Sequence, residues 1–152
     1  MSAGSTEVIS VGALGIRFLV ESEDSNGSVA VFECEVPTGT GPPAPHSHDA
    51  YEETIYGLAG VTTWTVEGRV ADVRPGDAIC IGRGEVHHFD NHDSANAKFL
   101  AVVTPGVLGP DFFREMGAVV AAATGAPSDR QRIGEVMRRH GLTPAPPPGS
   151  GP

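Results

Sequence analysis

The chain has 152 residues, with 19 acidic against 10 basic side chains and a formal net charge of −9. That length suits one domain with a modest core and leaves no room for a second of ordinary size. The basic residues are scattered apart from Arg138 and Arg139, so no cationic stripe exists to track phosphates, and nucleic acid and anionic membrane surfaces are excluded as expected partners.

The opening stretch MSAGSTEVISVGALGIRFLV has no cationic leader, and Arg17 breaks its apolar run well short of a membrane span. The expected location is therefore cytoplasmic. A single lysine, Lys98, against nine arginines, with abundant Gly, Ala and Pro, is the composition expected of a GC-rich bacterial genome. Cys34 and Cys80 have no short-range partner and no zinc-type spacing, so both are expected as buried free thiols without chemistry.

From Gly15 to Thr104 the pattern is one of short strands between turn signals. GIRFLVES and VAVFECEV flank EDSNGS, whose Asn26-Gly27 pair is a strong hairpin signal. In the second of these strands Ala30, Phe32, Cys34 and Val36 share one face and Glu33 and Glu35 the other, as in a half-buried antiparallel sheet. VTTWTVEGRVADV repeats the form with Glu67-Gly68 as its turn, and DAICI, VHHFDN and AKFLAVVT supply further strands, which predicts an all-β sandwich or barrel.

After Thr104 the period changes. Pro110 opens a predicted helix over DFFREMGAVVAAAT with Phe112, Met116, Val119 and Val120 on one stripe. Ser128 and Gln131 read as a capping box for a second helix, in which Ile133, Val136 and Met137 align and Gly141 closes the last turn. The expected organisation is a β-domain over 1–104, a helical extension packed on it over 105–142, and a disordered Pro/Gly tail over 143–152.

Two stretches carry the chemistry. In PHSHDAYEETIYGLAG, His46 and His48 share a strand face roughly 7 Å apart along the backbone. In PGDAICIGRGEVHHFDN, His87 and His88 point to opposite faces, so only one can look inward. Together they offer His46, His48, one of Glu52 and Glu53, and one of His87 and His88. Three neutral imidazoles and a carboxylate suit one divalent ion among Fe, Mn, Co, Ni, Cu and Zn, and the lack of nearby cysteine argues against a closed structural zinc site. His88 and His92 read as surface residues, and His140 as a partner of a helix C-terminal dipole. Tyr51, Tyr56 and Trp64 belong either to a pocket wall or to strand packing, which parity leaves open.

These motifs resemble those of the cupin superfamily, in particular small single-domain bacterial cupins similar to quercetinases. The first cupin motif is matched by His46, His48, Glu53 and Gly60, with four residues between His48 and Glu53 and six between Glu53 and Gly60. The second is matched by Gly76, Gly84, His87 and Asn91. The resemblance selects Glu53 over Glu52 and His87 over His88. It departs in two places: Thr40 stands where the first motif begins with glycine, and Gly82 stands for the second motif's proline, which is expected to loosen the turn presenting His87.

The resemblance implies a double-stranded β-helix, or jelly-roll barrel, of two antiparallel sheets, with the two C-terminal helices outside it. It implies a metal held by His46, His48, Glu53 and His87, with Glu53 as the catalytic residue as well as a ligand. The leading expectation is a dioxygenase acting on a small aromatic or enolisable substrate, with dioxygen as a second ligand. The alternatives are a Lewis-acid isomerase, cyclase or decarboxylase of an oxo compound, and a non-catalytic small-molecule-binding cupin. A homodimer is expected because a short barrel leaves edge strands to cover, and the N-terminal strand is a candidate to cross to a partner sheet.

Overall fold

The computed structural model describes residues 3–146. Eleven strands and two helices follow in order: β1 (Ile9–Val11), β2 (Leu14–Val20), β3 (Ala30–Val36), β4 (His46–His48), β5 (Glu52–Ala59), β6 (Thr62–Val66), β7 (Arg69–Val73), β8 (Ala78–Ile81), β9 (His87–Asp90), β10 (Ala97–Thr104), α1 (Pro110–Ala121), α2 (Pro127–Arg139) and β11 (Leu142–Pro144). They form two antiparallel sheets, β1-β2-β3-β10-β5-β8 and β11-β4-β9-β6-β7, and the fold is the expected double-stranded β-helix with two helices behind it. No described helix is long and apolar enough to cross a membrane.

The period-two patterns place the core between the sheets. In β3, Ala30, Phe32, Cys34 and Val36 are buried, and in β10 so are Ala97, Phe99, Ala101 and Val103, while the intervening side chains face outward. Arg17, Lys98, Glu33 and Glu35 form an ion-paired ladder on that outer face. The β6-β7 hairpin turns at Glu67-Gly68, both with positive φ of 49° and 76°, and pairs Val66 with Arg69 across a two-residue loop. Asn26-Gly27 works differently: β2 and β3 do pair, but a 3-10 turn over Ser22–Ser25 fills the connection and Asn26 closes it in the left-handed region.

Both helices form where the apolar stripes predict them. Phe112 and Met116 of α1 and Val136 and Met137 of α2 are buried. Gly117 lets α1 lie against β1, because a Cβ there would collide with the Ser10 carbonyl oxygen. The start of α2 corrects the capping-box reading. Pro127 occupies the first turn, Ala126 is the N-cap without a side-chain bond, and Ser128 is already helical. The polar work falls to Asp129, whose Oδ2 accepts the N–H groups of Thr124 and Gly125 at 3.0 and 2.7 Å and fastens the α1–α2 connection. His140 is held by more than a dipole: Arg139 and His140 both approach Glu115 Oε2 of α1, at 2.9 and 3.0 Å.

Two further expectations change. Leu142, expected to end the helical extension, and Thr143 and Pro144, expected in the unordered tail, form the strand β11, paired with β4 in the register Leu142↔His48, Thr143↔Ser47 and Pro144↔His46. Thr143 Oγ1 also donates to Asp49 at 2.7 Å. Of the expected tail, 147–152 lie outside the described residues. Cys34 is buried, but Cys80 is exposed, because Ile79 and Ile81 take the inner face of β8 and Ala78 and Cys80 the outer one. Strand β1 pairs with β2 of its own chain, Ile9↔Ile16 to Val11↔Leu14.

Candidate metal centre

Strands β4 and β9 pair with His46 directly opposite His87, so both side chains leave the same face of the sheet, and His48 follows two residues along on that face. The three rings meet with centroids 4.7 Å (His46–His87), 4.5 Å (His48–His87) and 5.2 Å (His46–His48) apart. Their ligating nitrogens lie within 4.8 Å of one another, forming the one such group among the described residues. Glu53 reaches the cluster from β5 in the opposite sheet, its Oε2 3.3 Å from His48 Nε2. It lines the same cavity, although the mutually close set is the three imidazoles.

Backbone carbonyls orient two of the rings. His46 Nδ1 lies 3.0 Å from the Ala44 oxygen and His87 Nδ1 2.9 Å from the Glu85 oxygen. A carbonyl only accepts, so each Nδ1 carries the proton and each Nε2 keeps its lone pair. His48 is fixed by stacking on Tyr51 instead, at 4.3 Å and 20°.

Burial keeps these rings neutral. Desolvation, reinforced by His87, pulls His46 down to about 3. Desolvation and the neighbouring His46 pull His48 down to about 2, and desolvation also lowers His87. Desolvation alone raises Glu53 to about 7. Three uncharged nitrogen donors converge beside a carboxylate that sits near its titration point at neutral pH. That donor set fits a divalent transition-metal ion, and His46, His48 and His87 could hold it, with Glu53 within reach as a fourth donor.

The two departures from the motif are compensated. Gly82 does not leave the His87 turn loose. Its N–H, which a proline would lack, donates to Glu85 Oε1 at 2.6 Å, and the Glu85 N–H returns to the Gly82 carbonyl. The same Glu85 carbonyl then orients His87. Thr40 closes its own turn through its hydroxyl, 2.6 Å from the Pro37 oxygen, and its carbonyl accepts the Asn91 N–H. Asn91 is structural, with Nδ2 donating to Val36 and Ala95 carbonyls at 2.9 Å each.

Glu52, the rejected alternative, points out to Arg83, and His88 points out to Asp90. His92 is exposed, as expected. Trp64 is buried in the cavity wall and Tyr51 in the packing behind His48, whereas Tyr56 is exposed. Burial, followed by the Glu53 charge, holds the Cys34 thiol far above its ordinary range, so it stays an unreactive wall residue. The cavity itself has a volume of about 70 Å³. Phe112, Phe113, Met116 and Met137 of the helices line it together with the histidines.

An antiparallel double-stranded β-helix that gathers three neutral histidines and a glutamate in its interior defines a small barrel protein with a candidate metal site. The chain belongs to the cupin superfamily: its residues 32–103 match the cupin domain model (Cupin_2). No curated protein matches it by sequence. Among solved structures it is similar to a predicted oxalate decarboxylase from Thermotoga maritima, with 24% identity, a TM-score of 0.60, and coverage of 65% of this chain and 90% of that one. It is also similar to KdgF from Halomonas sp., with 15% identity, a TM-score of 0.62, and coverage of 73% and 97%. A double-stranded β-helix protein from Klebsiella pneumoniae aligns with 24% identity, a TM-score of 0.56, and coverage of 66% and 84%. At these identities the likeness is one of fold.

Proposed function

We propose that this protein is a metal-dependent enzyme that removes a proton from a small enolisable carbonyl compound, with dioxygen as co-substrate. It would then be an oxidoreductase of the dioxygenase kind. The observation that carries this reading is Glu53: a buried carboxylate whose Oε2 lies 3.3 Å from His48 Nε2, beside three neutral imidazoles and facing the same apolar cavity. A divalent ion held by His46, His48, His87 and Glu53 would supply Lewis acidity to a substrate oxygen and, if redox-active, electrons to dioxygen.

The chain's own residues supply the rest. Glu53 accepts the substrate's proton and holds it out of contact with bulk water. Trp64, Phe112 and Met116 exclude solvent from the enolate that results. The aromatic half of the substrate expectation finds less support, because the cavity has less than half of the ~150 Å³ that accommodates benzene elsewhere.

A second reading, a Lewis-acid isomerase or decarboxylase, draws on the same carboxylate, since a buried base facing the cavity can return the proton it took without any oxidant. Metal analysis of the purified protein comes first. An oxygen electrode and solvent-deuterium incorporation into short-chain ketones and diketones, run on metal-loaded protein, then separate the readings. Oxygen uptake with substrate supports the dioxygenase, deuterium exchange without oxygen uptake the isomerase class, and neither a binding role. The proposal includes a homodimer, supported by the edge positions of β1 and β8, and light scattering that gives a monomer mass at micromolar concentration would overturn it.

A further inference from the structure

The cavity beside the histidines is polar at one point only. Apart from His46, His48, Glu53 and His87, every described side chain lining it is apolar, and no Arg, Lys, Ser, Thr, Asn or Gln contributes. Its two remaining N–H and S–H groups are already used. Trp64 Nε1 donates to Thr62 Oγ1 at 2.9 Å, and the Cys34 thiol lies 3.8 Å from the Glu35 carbonyl oxygen. A ligand that enters therefore finds hydrogen-bonding partners for its head and none for its body.

The geometry points to a ligand class: a short aliphatic ketone or aldehyde of roughly three to five non-hydrogen atoms, with its oxygen at the histidine cluster and an unsubstituted hydrocarbon body against α1 and α2. Sugars, sugar phosphates and dicarboxylates are selected against, because a hydroxyl or carboxylate pressed on Phe112, Met116 and Met137 would lose its water and gain no partner. The helices set the upper size limit, since Met116 is 1% exposed and stands in the cavity wall. This inference rests on the reading of the cavity as the substrate site and names what that site would take.

The test uses butanone and hydroxyacetone, which have the same number of non-hydrogen atoms and differ by a methyl against a hydroxyl at one end. Binding is followed by the methyl signals of Met116 and Met137 in NMR spectra of metal-free and metal-loaded protein. The metal-loaded arm decides, because without an ion the Nε2 lone pairs of His46 and His87 offer a carbonyl oxygen no donor, and because chelation by the second oxygen would favour hydroxyacetone there, so a preference for butanone is the stricter result. Butanone is expected to bind at least about tenfold more tightly than hydroxyacetone, about 1.4 kcal/mol. Acetophenone is expected to be refused by the natural protein and accepted by Met116→Ala, or by Phe113→Leu if the first variant does not fold. Equal binding of the two small ketones would overturn the inference, and so would acetophenone binding to the natural protein as tightly as butanone. Failure to take up metal would overturn both readings, whereas failure of the metal-loaded protein to exchange substrate protons sinks the enzymatic reading alone and leaves the ketone preference standing.

Discussion

His48 and Tyr51 stack face to face at 4.3 Å, and both His48 Nδ1 and the Tyr51 hydroxyl are buried without a protein hydrogen-bond partner. His46 and His87 have backbone carbonyls to fix their tautomers, whereas His48 has an aromatic plane. The ring of Tyr51 is thus its contribution, and the hydroxyl is buried at a desolvation cost that no protein bond offsets. Tyr51→Phe is expected to keep metal affinity and to leave stability unchanged or raise it by up to about 1 kcal/mol. Tyr51→Leu, which removes the stacking plane, should weaken metal binding. Thermal denaturation and metal titration of the two variants check this, and a loss of stability in Tyr51→Phe would show a hydroxyl bond in solution.

Removing a donor tests the cluster directly. His48→Ala should lower metal affinity by more than the roughly 10- to 100-fold typical of losing an outer partner of a metal ligand, with strand content by circular dichroism retained. Glu53→Gln should keep the metal on three imidazoles with reduced affinity and lose proton exchange. If exchange survives in Glu53→Gln, the carboxylate is not the base.

Metal-free protein should respond to pH in two opposing ways. His46 and His48 sit at about 3 and about 2 when folded, against 6.5 when unfolded, so the unfolded chain binds more protons in that window. Their stabilising neutrality is complete above about 6.5 and is lost as the pH falls toward 3. Glu53 runs the other way. Its folded value of about 7 lies above the ordinary 4.5, so its contribution is full below 4.5 and is lost as the pH rises through 7. The histidines outnumber the glutamate, and Tm should fall on acidification below 6.5. Glu53→Gln should be more stable than the natural metal-free protein at pH 8 and show no such gain at pH 4. Calorimetric scans across that range check both limbs.

Gly117→Ala should push α1 away from β1, because the new methyl would meet the Ser10 carbonyl. Overpacking of this kind costs about 1–3 kcal/mol. At about 2–4 °C per kcal/mol the drop in Tm is readily measured. Metal affinity should be preserved, since no strand carrying a histidine is touched.

Much of this protein was legible in its sequence where the signal is local. Period two in β3, the Glu67-Gly68 turn and the parity of His87 against His88 each follow from neighbours along the chain, and each is found as expected. The misreadings have sources both near and far along the chain. Cys80 has a strand-like setting, but Ile79 and Ile81 take the inner face of β8 and leave Cys80 on the outer one. Gly82 looks like a weakened turn until Glu85 folds back on it. Ser128 matches a capping pattern, yet Pro127 beside it had already started the helix. Pro144 belongs to a composition that reads as coil, and only its pairing opposite His46 makes it part of a strand.

That last pairing makes one more variant informative. Ending the chain at Gly141 would remove β11 and leave β4 with β9 as its one strand neighbour. The expected outcome is weaker metal binding with the rest of the barrel retained, measured by titration and circular dichroism. Unchanged affinity would show that β9 suffices.

The same pairing sets an order of assembly. Strand β4 is three residues long and joins β9 at a single register position, His46 opposite His87, so on that side it has little to hold it. Its other side is completed by residues such as Thr143, 94 positions beyond its bonding partner Asp49. Contacts so distant in sequence form after local hairpins such as β6-β7, because closing the longer loop costs more entropy before any bond is made. Closure of the β4–β11 pair is therefore expected among the later steps of folding, after local hairpins have formed.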